Sequence, residues 1–376
     1  MRFRFCSRSV TLAAAIVAAC ANVPARAEAS EAAGAPTPVG FTDMSVAGNT
    51  ALRGDAANRL HVVVWYPARV GTPVRPLEVG PPGAPLFSEG DAAEDAPIAT
   101  EPVRLPFVVV SHGTGGTARD LSWLCADLAA HGYLVASVDH PGNNALEAPT
   151  VAGTTLWWMR ADDLSRTIDG VLADARFGPR VDRARIGAAG FSLGGLTVLM
   201  LGGARADVTK LDAYCAANPV TPACSGVATP TIPNLGARAR ELAASDPAYR
   251  AALLANADDH RDPRVKAIFS IAPALGPAIV RESLAALHLP VAMVDGMGDP
   301  IVPVADNAIP DALALPDATL TLFPQAVGHY TFLTDCAAAG KIRFAPICED
   351  AGPGRVAVHA ATAALAEAFF ARTLRP

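Results

Sequence analysis

The chain has 376 residues, of which 51% are hydrophobic, 18% charged and 6% aromatic. Those proportions exclude a disordered, collagen-like or coiled-coil chain, and the length admits one large domain or two ordinary ones. With 36 acidic against 30 basic residues, a net charge of −6 and no basic tract, the composition argues against nucleic acid as a partner.

The N-terminus reads as an export signal. Arg2, Arg4 and Arg8 precede an apolar run from Val10 to Ala21, and Pro24-Ala25-Arg26-Ala27 supplies a small-x-small cleavage site. This is the three-part pattern of a secretory signal peptide over residues 1–27. Val17-Ala18-Ala19-Cys20 also has the form of a lipobox, so a lipidated Cys20 stays open as the alternative new N-terminus. The apolar run falls short of the ~20 residues that span a bilayer, and no other run reaches that length. Residues 28–376 are therefore expected to form one periplasmic or secreted domain, free or lipid-tethered.

Along that domain, residues 28–60 are rich in Ala, Gly and Pro and read as a linker. Residues 61–66 read as a strand ended by Pro67, and 68–104 as a long irregular excursion. Residues 107–111 and 134–138 are short, almost wholly apolar strands of the kind buried on both faces of a parallel sheet. Between them, 121–131 has helical spacing stopped by Gly132. A longer helical pattern covers 156–172. A strand at 185–189 runs straight into a new helix. Further strands are predicted at 265–271, 291–294 and 319–323, and a terminal amphipathic helix at 356–374. Strands alternating with helices imply an α/β fold, a mostly parallel sheet covered on both faces. Residues 203–263 break the rhythm and read as a cap-like insertion with a helix over 235–254.

Export makes the cysteines readable. Cys215 and Cys224 flank one turn, Cys336 and Cys348 another, and in an oxidising compartment each near pair reads as a local disulfide. Each closes a loop of about a dozen residues, worth about 3 kcal/mol on loop entropy. Cys125 sits in an apolar helical pattern and reads as a buried free thiol. CxxC and HxxxH spacings are absent, as are GxGxxG and Walker sequences, so neither metal nor cofactor is expected.

The chemistry centres on Gly190-Phe191-Ser192-Leu193-Gly194. A G-x-S-x-G between a short apolar strand and a helix start has the context of a nucleophile elbow, with Ser192 held at the sheet's carboxyl edge above a helix N-terminus. A serine hydroxyl needs a base, and the base needs an orienting acid. In this class they follow in the order serine, acid, histidine. Asp299, in the loop after 291–294, is the favoured acid. Asp295, nearer the strand end, is its rival. Of the eight histidines only His329 lies both beyond the acid and at a strand end, so it is the expected base. His61, His131, His288 and His359 fall within or beside elements, and His260 falls in a charge cluster. His112 belongs to Ser111-His112-Gly113-Thr114-Gly115-Gly116, whose glycines let backbone N–H groups face an oxyanion. The backbone amides of Thr114 and Leu193 are the two expected donors.

These residues resemble the α/β-hydrolase superfamily. More narrowly they resemble the bacterial proteins grouped with platelet-activating-factor acetylhydrolases and predicted dienelactone hydrolases. The carrying stretches are VVVSHGTGG (108–116), GYLVASVDHPGN (132–143), IGAAGFSLGG (186–195) and DPRVKAIFSIAPALG (262–276), and the likeness extends over about residues 38–372. It implies a cofactor-free serine hydrolase acting on short-chain or truncated acyl esters. Two departures stand out. Dienelactone hydrolases use a cysteine where this elbow has Ser192. Mammalian phospholipid acetylhydrolases place the acid after an earlier strand, where this chain has Ala272-Pro273-Ala274. A polymer-directed hydrolase (of a polyester or an oxidised polyvinyl-alcohol-type β-diketone) and a non-catalytic binding protein of the same fold are the alternatives.

Overall fold

The computed structural model describes residues 37–55, 57–225, 232–349 and 352–375. The export signal, its cleavage site and Cys20 lie outside them. Among the described residues eleven strands join one sheet: β1 (Val39–Ala47), β2 (Arg59–Pro67), β3 (Arg75–Val79), β4 (Phe87–Glu94), β5 (Leu105–Ser111), β6 (Leu134–Val138), β7 (Val181–Phe191), β8 (Val265–Ile271), β9 (Val291–Gly296), β10 (Ala318–Phe323) and β11 (Asp335–Cys336). Their order is β10-β9-β8-β7-β5-β6-β2-β1-β4-β11, with β3 paired to β4. From β10 through β6 every neighbouring pair is parallel, and β2 then runs antiparallel to β6 and to β1.

The parallel strands read as continuous apolar runs because each face has its own cover. Phe107, Val109, Leu134 and Ala136 join one buried cluster with Leu164 and Ile168 of the helix Met159–Ala173 and with Leu196 and Val198 of the helix Leu193–Gly202. Val108, Val110 and Val135, one residue out of step, join the opposite cluster with Leu124 and Leu128 of the helix Ser122–Ala130 and Phe369 and Phe370 of the helix Arg355–Thr373. Each fully buried Val, Leu or Phe contributes about 1.5–3 kcal/mol, so the alternation of faces carries most of the sheet's stability. No helix of the described residues is long and apolar enough to cross a membrane.

Two expectations are corrected. Residues 39–47, read as linker, form β1, which pairs with β2 from Val39–Pro67 to Ala47–Arg59. Its far half alternates between half-buried and exposed positions, so pairing with β2, more than an apolar period, makes it a strand. Residues 68–104, read as an irregular excursion, contain β3 and β4. Four of the five β3 residues are exposed, and such a strand leaves no hydrophobic signal in the sequence.

The insertion begins where Gly203, at φ 118°, ends the elbow helix. It carries the helices Val208–Ala217, Leu235–Ser245 and Pro247–Leu254. The single helix expected over 235–254 breaks at Pro247, which has no N–H to continue the ladder. Asp246 caps the new helix by accepting from the Ala248 and Tyr249 amides at 2.8 and 3.1 Å. Disulfides join Cys215 to Cys224 within the insertion and Cys336, the last residue of β11, to Cys348, while Cys125 is a buried free thiol.

Candidate active site

The strand β7 delivers its chain into the helix Leu193–Gly202 through a single residue, Ser192, at φ 57° and ψ −121°. A non-glycine residue there costs about 1–3 kcal/mol and needs its surroundings to hold it. Its N–H donates to the Ile271 carbonyl at 2.8 Å, and its own carbonyl accepts from the Gly195 and Ala274 amides at 2.8 and 3.1 Å. The bend also needs glycine on both sides. A Cβ at 190 would lie 2.2 Å from the Gly194 carbonyl oxygen, and one at 194 would lie 2.1 Å from that of Ser111.

The loops beyond β9 and β10 bring two more side chains to this edge. His329 Nε2 is 2.9 Å from Ser192 Oγ, and His329 Nδ1 is 2.6 Å from Asp299 Oδ2. The other Asp299 oxygen accepts from the Ile301 and Val302 amides, both at 2.8 Å, which fixes the carboxylate's orientation. All three side chains are at most 5% exposed. The Phe191 ring packs 4.7 Å from the imidazole and limits its tilt.

Asp295 lies at the end of β9 and does not reach the histidine. One of its oxygens accepts from the Gly296 amide at 2.7 Å, and the other is buried without a partner among the described residues. Burial, and then the neighbouring Asp299 charge, push its carboxyl well above the usual range.

Thr114, in the loop after β5, and Leu193, the first residue of the helix after Ser192, border the same cavity as Ser192. Neither backbone N–H has an acceptor among the described residues. The loop carrying Thr114 is held from behind by a buried polar network. Arg160 Nη2 donates to the His112 carbonyl and, at 3.2 Å, to Ser111 Oγ. His140 Nε2 meets Ser111 Oγ at 2.9 Å, and its Nδ1 meets Asp163 at 2.9 Å. Asp163 in turn holds Arg53 through two bonds of 2.6 and 2.7 Å. Asn143 accepts from the Gly115 amide at 2.7 Å. Burial, followed by the Arg160 charge, drives both His112 and His140 well below the ordinary imidazole range, so they are neutral hydrogen-bonding parts. Burial also pulls Arg160 itself down to about 9, which leaves it a cation at neutral pH.

Sequence reasoning had no role for this network. His140 stands out only as a residue after a strand, and Arg160 sits inside an ordinary helical pattern. Their partnership spans residues 53 to 163 and becomes visible only in three dimensions. His359 is buried, stacked on Trp123 with ring centres 4.2 Å apart, and His61 is half-exposed beside Asp139.

Residues 105–333 match the model of a hydrolase family described as serine aminopeptidase, S33. Two cutinases of Thermobifida alba, est1 and est2, are each 32% identical over 117 residues, which is 31% of this chain and 34% of theirs. Cutinase 2 of Thermobifida cellulosilytica is 32% identical over the same length, 38% of its own chain. This chain thus spans about a third of the length of the curated relatives it matches. Among solved structures, a ferulic acid esterase from Streptomyces cinnamoneus covers 92% of this chain and 93% of its own with a TM-score of 0.57 and 22% identity, a likeness of fold.

Proposed function

This chain belongs to the S33 serine aminopeptidase family of hydrolases, within the α/β-hydrolase superfamily, and from that premise we propose that it is a serine hydrolase of carboxylic esters. Ser192 is the nucleophile, His329 the general base and Asp299 the acid that orients it. The amides of Thr114 and Leu193 are the oxyanion donors. The observation that carries this reading is the unbroken relay of 2.6 and 2.9 Å from Asp299 through His329 to Ser192.

The steps follow from that geometry. Nδ1–H donates a hydrogen bond to the Asp299 carboxylate, which fixes the tautomer and leaves the Nε2 lone pair facing Ser192. As Oγ attacks the ester carbonyl, Nε2 takes the hydroxyl proton and the carbonyl π pair moves onto oxygen. Two amides at that oxygen stabilise the charge, and one such donor is worth about 3 kcal/mol. Collapse expels the alkoxide, which takes the proton from Nε2 and leaves an acyl-serine. Water, deprotonated by the same nitrogen, repeats the sequence and frees the acid.

Replacement of Ser192 by Ala is expected to abolish p-nitrophenyl acetate hydrolysis and labelling by a fluorophosphonate. Turnover surviving that change would refute the nucleophile, and a wild-type protein that neither labels nor turns over would point to a non-catalytic binder. An amino-acid p-nitroanilide assayed in parallel separates ester from aminopeptidase chemistry. The relatives' names favour cutinase activity as a second reading, tested by release of soluble acid from polyester film. Within the reading stand the narrower likeness to the platelet-activating-factor acetylhydrolase group, with its truncated acyl esters, and export by residues 1–27. Two disulfides fit an oxidising compartment, and the mass of the exported N-terminus decides between cleavage after Ala27 and lipidation at Cys20.

A further inference from the structure

Two cavities meet at Ser192. One, of about 480 Å3, is lined by Phe191, His329 and Tyr330 and by Phe344 and Ile347, which lie between the cysteines of the second disulfide. The other, of about 800 Å3, is lined by Leu193 and by Leu211, Leu235, Tyr249 and Leu253 of the insertion. Ser192, Thr114 and Ile301 border both. His329 borders the smaller cavity alone, and Leu193 the larger alone.

That division has a chemical consequence, which rests on the ester-hydrolase reading. The proton on His329 Nε2 must pass to the departing alkoxide, so the leaving group lies on the histidine side. The acyl part stays bonded to Ser192 with its oxygen on the Thr114 and Leu193 amides, and it must extend away from the histidine. Water for the second half-reaction then enters the space the alcohol has left, again beside Nε2. We propose that the site takes an ester that is bulky on both sides of the scissile bond, its acyl part in the insertion-covered cavity and its alcohol part in the cavity beside His329. Both volumes lie within the ~300–1,000 Å3 of cavities that enclose small-molecule ligands. An acetyl group would leave the larger one filled with water.

Each half is narrowed separately. Leu211 and Ile347 are both half-buried wall residues that are not members of the relay. Leu211→Trp is expected to lower kcat/KM for decanoyl and aryl-acyl esters at least about tenfold while sparing acetyl esters. Ile347→Trp is expected to do the same for bulky alcohols at a fixed butanoyl group while sparing methyl butanoate. Leu211→Ala and Ile347→Ala, which risk no overpacking, are expected to shift the respective optima toward larger groups. Stopped-flow bursts add a second readout, because a given acyl-enzyme deacylates at one rate whatever alcohol has left, and only the Leu211 variants should change how that rate depends on acyl size. Exchanged effects, changes in both series from one substitution, no change from any of the four, or hydrolysis confined to acetyl esters would overturn the assignment. Labelling of wild-type Ser192 by a small fluorophosphonate needs neither cavity. If labelling persists while the size series fails, only the assignment falls, and if labelling fails, the ester-hydrolase reading falls with it.

Discussion

Replacing Asp299 by Asn tests the relay at one atom. Asp299 Oδ1 accepts two backbone amides, from Ile301 and Val302, at 2.8 Å each. An asparagine keeps its carbonyl oxygen there, since turning the NH2 group toward two N–H donors would forfeit both bonds, about 1 kcal/mol each, and set donors against donors. Its NH2 group must then face His329 Nδ1, now 2.6 Å from Oδ2. That nitrogen becomes the acceptor, and the ring proton moves to Nε2. There it meets Ser192 Oγ, 2.9 Å away, as a donor, and the hydroxyl loses its base. The expected result is a fall in kcat of about 10⁴ for p-nitrophenyl butyrate at neutral pH, with fold and melting temperature nearly unchanged, because volume and both amide bonds survive. The paired control is Asp295→Asn. Asp295 bonds the Gly296 amide and not the histidine, and burial favours its uncharged form, so an amide of the same shape should change kcat little. A loss below tenfold for Asp299→Asn would refute the argument, and a larger loss for Asp295→Asn would transfer the role to the rival acid.

Four more predictions follow from the same contacts. Gly194→Ala places a Cβ 2.1 Å from the Ser111 carbonyl oxygen and 2.6 Å from that of His112. It should destabilise by about 1–3 kcal/mol or more in urea unfolding, and a wild-type midpoint would show that the elbow yields. Arg160→Met removes the donor to the His112 carbonyl together with a costly buried cation. Melting should therefore shift little while kcat drops at least about tenfold, and an unchanged kcat would refute a role of the network in positioning the loop that carries Thr114. Burial, opposed by Arg119, raises Glu89 to about 7 from an ordinary 4.5. The folded state thus holds a proton that the unfolded chain has lost, and stability declines as pH rises through that window. Glu89→Gln should flatten that decline in melting temperature, and an unaltered slope would refute the shift. Denatured, unreduced protein cleaved after Ala27 should titrate a single thiol, Cys125, and reduction should cost about 3 kcal/mol per bridge. Five titrated thiols would refute both pairings.

The core of the sheet was readable because both its faces are covered: residues 107–111, 134–138, 265–271 and 291–294 are mostly apolar, broken only by Ser111, Ser137, Lys266 and Ser270, and each lies in β5, β6, β8 or β9. The edge was not. β1, β3 and β4 owe their form to backbone pairing, and partly exposed strands carry no apolar alternation to detect. Local pattern places Ser192, Asp299 and His329 each at or beyond a strand end and favours Asp299 over Asp295, yet it does not give the geometry by which Asp299 faces the imidazole. That depends on a turn in which Asp299 Oδ1 binds two amides and frees Oδ2.

Local chemistry in the chain determines the strained bend at Ser192, because glycines at 190 and 194 are the residues a bend that tight can hold, and it determines the alternating strand and helix order, because burial on two faces demands continuous apolar runs. Tertiary structure alone decides the partnership of Arg53, Asp163, His140, Ser111 and Arg160 behind the loop that carries Thr114, and the meeting of two cavities at one hydroxyl. Those depend on distances between residues far apart in the chain, and charge pairing or a shared void leaves no period in a sequence.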